Sequence, residues 1–123
     1  MGKLVERTVL CIGNDPVNLN LRGLLIRQHG WNAISSGSGH DGVIRFGQEA
    51  VDAVVIDLDG DGAEAALITG ELKRLRPTVP VIIVVTDEGE LASGATNQAA
   101  AVVLKSLEPR TLIDVLKGLF PVA

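Results

Sequence analysis

The sequence predicts a single α/β domain, a five-stranded parallel sheet with helices on both faces. Three observations predict it. Apolar strand-like runs alternate with helix-like segments five times. The run at residues 51–56 is apolar on both faces, as a strand is in a parallel sheet covered on both sides. Asp57, Thr86 and Lys105 directly follow three of the runs, at the carboxyl ends where open α/β sheets bind ligands.

Residues 8–12 read as a buried first strand. Pro16 suits a first helical turn, Val17, Leu21, Leu24, Leu25 and Gln28 recur at helical spacing, and Gly30 closes the helix. Residues 31–34 form a short second strand and residues 35–39 a flexible turn. A second helix over 41–50 sends Val43, Ile44, Phe46 and Ala50 toward the core. The third strand, 51–56, leads into a loop at 57–62 that holds three Asp and two Gly. A third helix over 63–75 ends before Pro77, and residues 79–85 are the fourth strand. The segment 88–98 is the poorest helix, with Gly89, Gly94 and Thr96 inside it. Residues 101–104 are the fifth strand, and Pro109 starts a last helix carrying Leu112, Ile113, Leu116 and Leu119. Right-handed crossovers leave few topologies for such a (βα)₅ chain.

At 123 residues and 46% hydrophobic the chain is long and apolar enough for one buried core. The aromatics are Trp31, Phe46 and Phe120, too few for single-stranded nucleic-acid stacking, and a net charge of −4 disfavours a phosphate-backbone binder. Cys11 is the one cysteine and lies in an apolar strand, so it reads as an inert buried thiol. No apolar run approaches the roughly 20 residues that span a bilayer, and no signal segment is expected; cytoplasmic location is the default. His29 and His40 lack metal-site spacing and read as surface or capping residues. Lys73, Arg74 and Arg76 cluster where a helix C-terminus favours cations.

A carboxylate, a hydroxyl and an ammonium on neighbouring strand ends suit an aspartate phosphorylation site. Asp57 would attack phosphorus and become an acyl phosphate, while Lys105 and Thr86 hold phosphoryl oxygens. The plain alternative is a static Asp57–Lys105 ion pair that closes the top of the sheet.

Several short stretches in order resemble the receiver domain of two-component response regulators. Val9-Leu10-Cys11-Ile12-Gly13-Asn14-Asp15-Pro16 is similar to the family's first strand. Asp41-Gly42 matches the start of its second helix, and Val51 through Leu58 the strand that delivers the phosphoacceptor. Val81 through Thr86 and Val103-Leu104-Lys105 match the strands ending in the hydroxyl and in the lysine. The resemblance covers essentially the whole chain. It implies a flavodoxin-like, doubly wound CheY-like sheet of order 2-1-3-4-5 and a signalling module rather than an enzyme. A stand-alone receiver would take a phosphoryl group on Asp57 from a sensor histidine kinase or phosphotransfer protein. It would act on an output protein, with no direct nucleic-acid or membrane contact.

The departures are equally specific. The family's acid pair falls on Gly13 and Asn14, its small residue on Asp87, its Pro after the lysine on Ser106, its aromatic switch on Val102, and its Met-Pro-Gly stretch on Asp59-Gly60-Asp61-Gly62. The resemblance implies Mg²⁺, with Asp57, Asn14, Asp15 and Asp59 as candidate ligands. Two acids fewer near the ion weaken its binding, since each is worth on the order of 4 kcal/mol at about 4 Å. Asp15 before Pro16 also suits a helix N-cap. The Lys105–Ser106 peptide is expected trans, because cis before a non-proline costs about 2.5–4 kcal/mol. The rival reading is a pseudo-receiver that docks partners and is never phosphorylated. A flavin or cobalamin carrier finds no supporting motif.

Overall fold

The computed structural model describes residues 6–58, 62–86 and 98–121. Five strands, β1 (Thr8–Gly13), β2 (Asn32–Ser36), β3 (Ala53–Asp57), β4 (Val81–Val85) and β5 (Ala101–Leu104), pair in parallel in the order β2-β1-β3-β4-β5. The helices are α1 (Pro16–Gln28), α2 (Gly39–Gln48), α3 (Ala63–Leu75) and α4 (Arg110–Leu119), with a 3₁₀ turn at Lys105–Leu107. The expected helix at 88–98 lies almost wholly outside the described residues.

Period-two alternation divides the strands between two cores. Val9, Cys11, Ala53, Val55, Ile82, Val84 and Val103 pack with Ile26 of α1 and Leu112, Ile113 and Leu116 of α4. Leu10, Ile12, Val54, Ile56, Val81, Ile83 and Val85 pack with Phe46 of α2 and Ala65, Ile68 and Leu72 of α3. Buried on both faces, β3 and β4 are uniformly apolar up to Asp57. Gly13 pairs with Asp57 across β1–β3, and both continue the alternation that faces α1 and α4.

Helix α1 buries a face other than the expected one. Arg22, Gly23 and Ile26 are buried, while Val17, Leu21 and Leu24 are about half or more exposed. Apolar residues lie on two sides of this helix, so spacing alone does not select the core stripe. In α2, Phe46 goes inward but Ile44 is exposed, and Ala50, expected in this helix, lies beyond its end and is exposed too. The turn expected at 35–39 is shorter: Ser35 and Ser36 extend β2, and Ser38 caps α2 by accepting the Asp41 N–H. Gly30 and Gly62 take positive φ, where a side chain is strained.

Cys11 is buried, and burial pushes its thiol up to about 12. His29 and His40 are exposed, His29 stacking on Trp31. At the end of α3, Lys73 donates to the carbonyls of Val79 and Pro77, and Arg76 lies over the Phe46 ring. The single cis peptide among the described residues is Glu108–Pro109, so Lys105–Ser106 is trans.

Candidate functional site

Asp57 ends the central strand β3 and is only 6% exposed. Each of its carboxylate oxygens has a cation. Lys105 Nζ, from the turn after β5, lies 3.2 Å from Oδ1. Arg22 Nη2, from the buried face of α1, donates to Oδ2 at 3.0 Å. The Arg22 guanidinium is itself gripped by Glu108, Nε donating to Oε2 at 2.9 Å and Nη2 to Oε1 at 2.7 Å. Such a fork fixes the guanidinium plane as well as its charge. Burial works against the Arg22 charge. The hydrogen bond and charge of Glu108, followed by those of Asp57, outweigh it and hold the group above its ordinary value.

The network follows from the chain. Asp57 sits at the third inward position of β3, after Ala53 and Val55, and so faces α1. Leu19, Arg22 and Ile26 are spaced three and four apart, placing Arg22 between two side chains of the first core. Gly13 supplies no side chain beside Asp57. A Cβ there would stand 3.2 Å from the Asp57 carbonyl and 3.5 Å from Leu19 Cδ1.

The structure therefore joins Asp57 and Lys105, as the sequence suggests, and adds Arg22 and Glu108. Thr86 directly follows β4 and is exposed. Asn14 is exposed. Asp15 caps α1: Oδ1 accepts the Val17 and Asn18 N–H groups, and Oδ2 accepts Asn18 Nδ2. Asp59 and Asp87 lie outside the described residues. Among the described residues no three His, Cys, Asp or Glu side chains gather where they could hold a metal ion. A divalent ion about 2.1 Å from Asp57 Oδ2 would also meet the guanidinium already there. At about 4 Å the +2/+1 repulsion is roughly 8 kcal/mol at an effective dielectric of 20.

Beside the network a cleft of about 230 Å³ opens between α1 and the β5–α4 connection, lined by Asn18, Leu21, Arg22, Leu25, Lys105, Glu108 and Pro109. Lys105 retains 29% side-chain exposure against 5% for Arg22. The Lys105 side of Asp57 is thus the accessible one. No helix among the described residues is long and apolar enough to cross a membrane.

No family model matches the chain. It is 33% identical over 92 residues to the transcriptional regulatory protein GlrR of Escherichia coli K12, a match covering 73% of this chain. The same match covers 20% of GlrR, so the chain corresponds to about a fifth of that relative. Among solved structures, the response regulator TrrA of Thermotoga maritima, in complex with Mg²⁺-BeF, superposes with a TM-score of 0.84 at 18% identity. That superposition covers 92% of this chain and 98% of TrrA. TrrA in its complex with the histidine kinase ThkA gives a TM-score of 0.81 at 18% identity, covering 92% of this chain and 97% of that one.

Proposed function

The chain has the fold of CheY-like response regulator receiver domains, and on that footing we propose that it is a phosphoryl-accepting receiver in two-component signalling. The phosphoryl group comes from the phosphohistidine of a sensor histidine kinase or phosphotransfer protein. Asp57 Oδ1 attacks phosphorus, the P–N bond breaks, and its electron pair stays on the imidazole nitrogen. The product is the Asp57 acyl phosphate. The observation that carries this reading is Asp57 itself, a nearly buried carboxylate at the end of the central strand with a cation on each oxygen. Attack through Oδ1 follows from access: Lys105 is partly exposed and free to turn onto the incoming phosphoryl oxygens, whereas Arg22 is buried on Oδ2. Thr86 supplies a further phosphoryl contact. Residues 1–123 act as one receiver unit, in a cytoplasmic setting, through contacts with an output protein.

A second reading is a docking module that is never phosphorylated. The favouring observation is that both Asp57 oxygens are already engaged and nearly buried. Incubation with a radiolabelled phosphohistidine protein separates the two readings. One hydroxylamine-labile label per chain, lost in Asp57→Asn, is the expected result. An unlabelled wild type rejects it in favour of docking.

A further inference from the structure

We propose that Arg22 is the resident cation of the phosphoacceptor site, so that Asp57 captures a phosphoryl group without a divalent metal. The inference rests on the reading of Asp57 as an acceptor and assigns it a charge partner that the sequence motifs do not contain.

The carboxylate oxygen that a metal would take is occupied. Arg22 Nη2 sits 3.0 Å from Asp57 Oδ2, and the buried guanidinium is held there by the two hydrogen bonds it donates to Glu108. Among the described residues, Gly13 has no side chain to offer a metal and both Asp15 oxygens are engaged at the start of α1. The four formal charges of Asp57, Glu108, Arg22 and Lys105 cancel, so nothing in the cluster calls for a dication. Converting Asp57 to an acyl phosphate replaces its single charge with the two charges of the phosphoryl group. Lys105 can follow that charge outward, while Arg22 stays on Oδ2, which becomes the acyl oxygen. Arg22 is thus a positioning and charge-stabilising residue, fixed before the reaction and needing no reorganisation during it.

The test is a backbone amide NMR titration of the full chain with beryllofluoride, a phosphoryl mimic, in metal-free buffer and again with millimolar Mg²⁺. The inference expects saturable shifts around Asp57 and Lys105 in both buffers, with Mg²⁺ tightening the midpoint by less than about tenfold. Tightening by tenfold or more, or shifts only with Mg²⁺, overturns the inference and leaves Asp57 as acceptor. No shifts in either buffer overturns the acceptor reading and the inference with it. Arg22→Gln is expected to weaken binding in metal-free buffer by about tenfold or more. If that variant does not fold, Arg22→Lys is used, since a point charge loses the fork to Glu108 and should also weaken binding. Unchanged metal-free affinity in the folded variant overturns the role of Arg22.

Discussion

Replacing Arg22 by alanine should cost as much stability as truncating a core residue of α1. The side chain makes three charge-assisted hydrogen bonds, at 2.9 and 2.7 Å to Glu108 and 3.0 Å to Asp57. Its loss leaves two carboxylates at 7% and 14% side-chain exposure without their shared cation. Removing one partner of a buried ion pair costs about 3–5 kcal/mol, because a charge is left desolvated and unmatched. A chain of 123 residues is stable by about 6–18 kcal/mol, so the variant should still fold, with a urea midpoint lower by roughly 2 M. Trp31, the single tryptophan, packs edge-on against Phe120 and reports the transition by fluorescence. A cycle with Glu108→Gln should give a coupling of about 1.5–3 kcal/mol. A loss under about 1 kcal/mol, additive with Glu108→Gln, would refute the network as drawn.

Three further outcomes follow from the packing. Gly42→Ala places a Cβ within 2.7 Å of Ile12 Cγ1 and 3.3 Å of Cγ2; overpacking of this kind costs about 1–3 kcal/mol in urea unfolding, and a neutral effect would mean that α2 sits farther from β1. Ile26→Ala should cost about 2–5 kcal/mol and Leu21→Ser less than about 0.5 kcal/mol, because Ile26 is fully buried and Leu21 is 52% exposed; the reverse order would show that α1 is rotated. Cys11 keeps its proton in the folded state to about 12 but ionises from 9.0 when unfolded. The unfolded state therefore binds fewer protons in that window. Stability is intact below pH 9 and falls as pH rises toward 12, by up to about 1.4 kcal/mol per pH unit. Thiol reagents at pH 8 should label Cys11 only after denaturation, and rapid labelling of the native chain would contradict its burial.

The sheet was readable from sequence because β3 and β4 are apolar on both faces, a pattern that admits few other placements. Asp57 and Lys105 were readable because each directly follows an apolar run, which puts both at the carboxyl edge of the sheet. Arg22 was not. Val17, Leu21 and Leu24 form as regular a stripe as Leu19, Arg22 and Ile26, and only the sheet decides which one turns inward. A basic residue within the second stripe was the available signal, but it gains meaning only once Asp57 and Glu108 stand opposite it. Glu108 lies 86 residues from Arg22 in sequence, so no local pattern links them. Ser36 and Gly39 were misread as turn because a serine–glycine tract suggests flexibility, whereas Ser36 pairs with Ile12 and Gly39 opens α2 against Ile68.

The most direct test of the account is an intact-mass measurement after incubation with phosphoramidate, in parallel with Mg²⁺ and with chelator. The account predicts one added phosphoryl group per chain in both conditions, mapped to Asp57 and absent in Asp57→Asn. A chain that gains no phosphoryl group in either condition, gains one only with Mg²⁺, or gains one equally in the variant, would contradict it.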